Sequence, residues 1–141
     1  AYYAHAEIGK SFHAVDAHVG FERLSGDSAT DNKKFVTPFG DYHKFNGWSE
    51  VFKDTPQRGL EDIYVRITGK AGQFTVMGAF HHFRFATGSG GKNAGHEYNL
   101  GGKIDLNESI AFDAGYAKFN GKNNSGTNTR RIWAGLTATF M

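Results

Sequence analysis

The chain has 141 residues, of which 39% are hydrophobic and 15% aromatic, with 19 Gly, no Cys and a formal net charge of +2 at pH 7. The lack of Cys excludes structural disulfides and thiolate metal sites. The small, scattered positive charge also argues against nucleic acid as a partner. No run approaches the roughly 18 to 20 consecutive apolar residues of a membrane helix, so a membrane-spanning part would have to consist of strands.

Apolar and polar residues alternate with a period of two along most of the chain, which is typical of strands with two different faces. In chain order, the alternating segments are 4–12, 15–22, 62–68, 74–80, 97–106, 110–116 and 131–140. The last segment is the clearest, whereas 74–80 carries apolar residues on both sides. We therefore predict an all-β fold of about seven antiparallel strands.

The predicted connections alternate between short and long. Short turns lie near His13, Ala71 and Asn107, and long polar segments cover 25–60, 87–95 and 120–129. In outer-membrane barrels the short turns face the periplasm and the long loops face outward, and single-chain bacterial barrels have an even number of strands. With the last strand ending in the periplasm, the first begins outside. We therefore expect residues 1–141 to be the C-terminal part of a larger antiparallel transmembrane β-barrel.

The alternation alone fits a membrane barrel and a soluble barrel equally well, because both have one apolar and one polar face. Small Ala and Gly residues among the Ile, Leu and Phe of the apolar side suit contact with fluid lipid better than a close-packed interior. Aromatic residues also lie near strand ends, as in an interfacial girdle. We predict that the apolar side faces the lipid of a bacterial outer membrane, and the residues expected to do so are Ile63, Val65, Leu100, Ile104, Leu106, Phe112, Leu136 and Phe140.

The opposite side of the same strands is expected to line a lumen. The residues predicted there are Glu7, Asp16, His18, Glu22, Asp62, Arg66, Glu97, Lys103, Asp105, Asp113 and Arg131. Acidic residues outnumber basic ones in this set, whereas an anion pathway needs an excess of Arg and Lys.

The long segment 25–59 is expected either to reach outside the cell or to fold back into the lumen. Its aromatic residues Tyr42, Phe45, Trp48 and Phe52 are candidates for a constriction loop, since a long polar loop gains nothing by exposing them to water. The alternative is that this loop packs on its own rim.

The seven His residues do not predict a metal site. His81 and His82 are adjacent and would point to opposite faces of a strand. His5 and His18 could pair across neighbouring strands, but a polar network with Glu7 or Glu22 is the favoured interpretation. No cofactor is predicted. The carboxylates are spread around a wall rather than gathered in a pocket, so no enzyme is predicted either.

Several short sequence segments occur in the order found in one family of membrane proteins. They are Leu24-Ser25-Gly26-Asp27-Ser28, 39–47 (FGDYHKFNG), 59–65 (GLEDIYV), Phe80-His81-His82-Phe83 and 95–100 (GHEYNL). In this order the chain resembles the C-terminal part of the alginate export porin family. The resemblance implies a barrel of about 18 strands and a transport role, with an anionic saccharide among the solutes it suggests.

The C-terminal strand predicts a further partner for this protein. Phe140 follows a strand with apolar residues at every second position, which resembles the signal read by the outer-membrane barrel-assembly machinery.

The predicted function is a porin-like channel that passes small or polymeric hydrophilic solutes by diffusion. The alternatives are a small closed barrel of about eight strands with a structural or adhesive role, and a soluble ligand-binding β-barrel.

Overall fold

The computed structural model describes residues 1–27, 35–36, 47–88 and 92–140. These residues form seven strands: β1 (Tyr3–Phe12), β2 (Val15–Leu24), β3 (Leu60–Ala71), β4 (Phe74–Arg84), β5 (Asn93–Asp105), β6 (Ile110–Gly121) and β7 (Thr129–Ala138). They make one antiparallel sheet in the order β1-β2-β3-β4-β5-β6-β7, so β1 and β7 are its edges and the sheet is not closed. The prediction of an all-β antiparallel fold with about seven strands is confirmed. No helix in the described ranges is long and apolar enough to cross a bilayer.

Short turns connect β1 to β2, β3 to β4 and β5 to β6 at one end of the sheet. His13 and Gly72 adopt positive φ angles of 53° and 58° in two of them. In the third, the Asn107 side chain accepts hydrogen bonds from the backbone N–H groups of Ser109 and Ile110, both at 2.9 Å. This turn begins earlier than the alternation suggested, because the Leu106 N–H already bonds to the Ile110 carbonyl at 2.9 Å. The other connections are longer and lie at the opposite end, which we call the long-loop end.

The strand register gives the sheet two chemically different faces, because directly paired residues point to the same side. We call one side the polar face; it carries His5, Glu7, Asp16, His18, Glu22, Asp62, Tyr64, Arg66, His81, Glu97, Asn99, Lys103, Asp105, Asp113, Arg131 and Trp133. The other is the apolar face; it carries Ile8, Val19, Phe21, Ile63, Val65, Ile67, Phe74, Val76, Phe80, Tyr98, Leu100, Phe112, Ile132 and Leu136.

Burial is reversed relative to a water-soluble protein. The side chains of Asp62 and Glu97 on the polar face are fully buried, whereas Ile132 and Leu136 on the apolar face are 80% and 70% exposed. The buried hydrophobic cluster consists mainly of residues that continue the polar side at the long-loop end, with Phe52 added from the connection between β2 and β3: Leu24, Phe52, Leu60, Phe83, Phe85, Ala94 and Phe119. The chain itself therefore covers part of the polar face, toward the long-loop end, whereas the apolar face is open.

Candidate functional site

The eleven residues predicted to line a lumen all lie on the polar face. Of the eight residues predicted to face lipid, six lie within strands on the apolar face. The other two, Leu106 and Phe140, lie just beyond the ends of β5 and β7, so their expected place inside strands is wrong. Both are nevertheless exposed, at 51% and 91%.

A polar network centred on Glu7 links β1, β2 and β3. The Glu7 carboxylate accepts a hydrogen bond from the Tyr64 hydroxyl at 2.5 Å and pairs with Arg66 Nη2 at 3.2 Å and His18 Nδ1 at 2.9 Å. His5 Nε2 lies 3.0 Å from the same Tyr64 hydroxyl. His5 and His18 thus belong to one network around a carboxylate. Among the described residues, no group of three or more His, Asp or Glu side chains could hold a metal ion.

A second, buried pair lies beside this network on β3 and β4. His81 Nδ1 is 2.7 Å from Asp62 Oδ2, and the imidazole stacks on the Phe83 ring with centroids 5.6 Å apart. His82, the next residue, is directed to the other side of the sheet, as the alternation predicted. The pair gives the buried Asp62 carboxylate one strong polar partner, which a buried charge requires.

Residues 47–58, which we call the docked segment, lie against the polar face. The main-chain N–H groups of Trp48 and Ser49 donate to Glu97 Oε1 at 2.5 and 3.0 Å, and the Ser49 hydroxyl bonds to Oε2. A Cβ on Gly47, whose φ is +85°, would meet the Glu97 carboxylate oxygens at 2.7 Å. Glycine at this position therefore lets the backbone approach the carboxylate closely enough to be held by it.

Aromatic and ionic contacts hold the rest of the docked segment. The Trp48 ring meets Trp133 edge-on at 5.6 Å, and the Phe52 ring lies 4.7 Å from Phe83 and 5.4 Å from Phe119, measured between centroids. Glu50 forms an ion pair with Arg131. Two members of the predicted constriction loop, Trp48 and Phe52, are thus placed on the polar face. The other two, Tyr42 and Phe45, lie outside the described residues.

A cleft of about 220 Å³ remains between the docked segment and strands β1 to β4. Its lining is mixed polar and aromatic: His5, Glu7, Glu22, Gly47, Trp48, Asp62, Tyr64, Arg66, Ala79 and His81. In the described part of the chain, Oδ1 of Asp62, which lines this cleft, has no hydrogen-bond partner, and the same is true of both side-chain amide atoms of the buried Asn99, which lies outside the lining. Such atoms need water or a hydrophilic solute as partner, because an unpaired buried polar group is costly.

Some charged side chains of the polar face form ion pairs and others do not. Each predicted basic residue has an acidic partner: Arg66 with Glu7, Lys103 with Asp105 at 2.7 Å, and Arg131 with Glu50. Asp16 and Asp113 form no ion pair within the described ranges, although Asp113 lies across from Lys103 in the register. The described part of the polar face therefore keeps an acidic excess.

Several residues of the site were not singled out from the sequence. Tyr64 and Trp133 have the strand parity of the polar face, so alternation could have identified them. Gly47 and Ser49 carry no such signal, because their contacts with Glu97 depend on the path of an irregular segment. Comparisons with protein-family models, curated proteins and solved structures find no match to this chain.

Proposed function

We propose that this sheet is part of the wall of a bacterial outer-membrane channel. In this proposal the apolar face meets lipid, the polar face lines an aqueous lumen, and the docked segment narrows that lumen. Hydrophilic solutes pass by diffusion, and no residue performs chemistry. The partners are outer-membrane lipid, the transported solute and, through the C-terminal strand, the barrel-assembly machinery.

The observation that carries the proposal is the reversed burial of the two faces. In water, Leu, Ile, Val and Phe are the residues most often buried, and monomeric soluble proteins rarely expose a contiguous apolar patch of more than a few hundred Å². Here an apolar face extends over all seven strands and stays open, while the fully buried Asp62 and Glu97 lie on the side covered by the docked segment. Lipid is the solvent in which that arrangement is stable.

The direction of the apolar band supports the same proposal. At the long-loop end its charged border passes through the paired residues Arg23, Glu61 and Arg84 on β2 to β4, but through Lys118 and Arg130 on β6 and β7. In the register, Lys118 pairs with Tyr98 on β5, and Tyr98 pairs with Phe80 on β4. On β4, Phe80 is four residues away from the border residue Arg84. The border thus shifts by about 13 Å across five strand spacings of about 4.8 Å, an angle of about 30°. Strands tilted in a bilayer by about 35–45° produce an oblique border of this kind.

The two alternatives fit these features less well. A soluble ligand-binding barrel would enclose its apolar side and expose its charges, which is opposite to the burial observed here. A closed barrel of about eight strands would need a partner strand between β1 and β7, which are not paired with each other in the described sheet. The open edges favour a wall continued by further strands, as in the wide barrels of the alginate export porins that the chain resembles.

The charge of the polar face bears on the solute. Arg66, Lys103 and Arg131 are engaged in ion pairs, and the acidic Asp16 and Asp113 outnumber Lys70, a basic residue of the described polar face that has no ion pair. Field lines from such groups favour cations and disfavour anions in a narrow pore. We therefore propose neutral or cationic hydrophilic solutes for this part of the lumen, rather than the anionic saccharide that the family resemblance implies.

Single-channel recording in planar bilayers tests the proposal. The full-length protein should insert and give discrete conductance steps, and removal of Asn32 to Thr55 should raise the step size because the docked segment leaves the lumen. A matched control keeps the loop and replaces only Glu61, on the apolar side, with Gln, which should leave the conductance unchanged. A protein that never forms channels, or a deletion with unaltered conductance, would contradict the proposal.

A further inference from the structure

The long-loop end of strands β4 to β7 is basic and free of acidic residues on the apolar side. Neither 85–96 nor 114–130 contains Asp or Glu, while Lys92, Lys118, Lys122 and Arg130 lie within these stretches. Arg84, at the end of β4, has the same parity as the apolar face. A one-sided concentration of positive charge favours anionic partners over any other class.

Lys118 and Arg130 form the most unusual part of this region. They are direct cross-strand partners on β6 and β7, and like charges in this position repel each other. Within the described ranges neither forms an ion pair, and the next residue in the same row is Tyr98 rather than an acidic residue. An anion bound between them would turn this repulsion into attraction.

A cleft of about 440 Å³ opens at this pair, where β6 and β7 separate, and it is lined by Lys118, Phe119, Asn120, Asn128, Thr129 and Arg130. Asn128 Oδ1 already accepts a hydrogen bond from the Gly121 N–H at 2.9 Å, so its amide NH₂ group remains as a donor at the cleft. Two cationic side chains with a neighbouring amide donor match the acceptor oxygens of a phosphate group.

The surroundings determine which phosphate compound fits. Arg130 is exposed on the apolar face, and two residues along β7 lies Ile132, which is 80% exposed. Leu136, further along the same side of β7, is 70% exposed. A bound molecule thus has a cationic cleft at its head and a continuous apolar surface below it. Free phosphate would use only the cleft, whereas a phosphorylated lipid would use both surfaces.

We propose that the cleft between Lys118 and Arg130 binds the phosphate of a membrane lipid whose acyl chains lie along the apolar face of β6 and β7. This inference rests on the proposed outer-membrane location. By the usual orientation of outer-membrane barrels, the long-loop end faces outward, so the lipid belongs to the outer leaflet.

Electron paramagnetic resonance of spin-labelled lipids tests the proposal on the full-length protein in phosphatidylcholine vesicles. The fraction of motionally restricted label gives the association of labelled phosphatidic acid relative to labelled phosphatidylcholine. We expect a preference for phosphatidic acid of about 25-fold, since each of the two cationic residues near the lipid surface contributes attraction worth about fivefold. The double variant Lys118→Gln/Arg130→Gln should reduce the preference to within about twofold of parity.

Lys10→Gln is the matched control, because Lys10 also lies on the apolar side but on β1, with its ammonium 4.8 Å from the centre of the Phe12 ring. This variant should keep the wild-type preference. An unchanged preference in the double variant would overturn the proposal, as would equal binding of both lipids by the wild type. If inorganic phosphate abolishes the preference when sodium chloride of equal ionic strength does not, the cleft is a site for free phosphate and the lipid assignment is wrong.

Flotation of the same samples separates this inference from the function on which it rests. A protein that does not float with the vesicles contradicts the outer-membrane proposal and the lipid site with it. A protein that floats and inserts but shows no lipid preference contradicts only the lipid site. Insertion of the double variant, checked in the same way, excludes misfolding as the cause of a lost preference.

Discussion

Leu136→Arg and Thr137→Arg place the same charge at adjacent positions of β7 on opposite sides of the sheet. Leu136 pairs with Phe112 on the apolar face, and Thr137 pairs with Ala111 on the other. Both residues are exposed, and Leu136 is 70% accessible. In a water-soluble protein, neither substitution would overpack a core or leave a buried group without its partner. Each would therefore change the free energy of unfolding by at most about 0.5 kcal/mol.

A lipid-facing Leu136 gives a different result. The apolar side of β7 runs from Ile132 to Ala138, which places Leu136 well inside the band. Arg at the bilayer midplane of a membrane barrel costs about 2–4 kcal/mol, whereas Arg on the lumen side is hydrated. Leu136→Arg should therefore lower the folding equilibrium constant by about 30-fold to 1,000-fold and Thr137→Arg by less than about threefold. Urea titration of unfolding in lipid vesicles, followed by Trp fluorescence, measures both, and equal losses would refute the assignment of the faces.

Three further predictions concern the docked segment and the polar face. Phe52→Ala removes a buried ring from its contacts with Phe83 and Phe119, so the free energy of unfolding should fall by about 3–5 kcal/mol, while Asp54→Ala has little effect; urea titration compares the two. Glu97→Ala leaves the Trp48 and Ser49 N–H groups without their acceptor, at about 1–3 kcal/mol for each buried donor. Limited proteolysis should then cut within residues 47–58 faster than in the wild type, and an unchanged cleavage rate would show that Glu97 does not hold the segment. Asp113→Asn should lower the cation-to-anion permeability ratio measured as a reversal potential under a salt gradient, because it removes an acidic group without an ion pair; Glu61→Gln, on the apolar side, should not.

Much of the fold follows from alternation alone. Lys103 and Asp113, which are strand partners, could be assigned to the polar face from the sequence. Side chains two residues apart on a strand point to the same side, so the polar positions of each strand mark one face. Strand ends were harder to predict. Leu106 has the parity of β5, but the turn closed by Asn107 takes it out of the strand.

The site was less predictable than the sheet. The aromatic residues Trp48 and Phe52 indicated docking, since exposure of such side chains is unfavourable, and both contact the polar face. Glu97 was expected to line the lumen, yet it is buried as the anchor of the docked segment. That role depends on where an irregular segment passes, and period-two alternation contains no information about such a path.

The central claim is that the apolar face meets lipid and the polar face does not, and site-directed spin labelling tests it most directly. Labels at Leu100, Leu136, Lys103 and Asp113 in the vesicle-inserted protein can be compared for their collision rates with oxygen, which partitions into lipid, and with a water-soluble nickel chelate. We predict that oxygen relaxes the labels at Leu100 and Leu136 more strongly than the chelate does, with the reverse order at Lys103 and Asp113. Stronger relaxation by oxygen at Lys103 or Asp113 than at Leu100 or Leu136 would contradict the account.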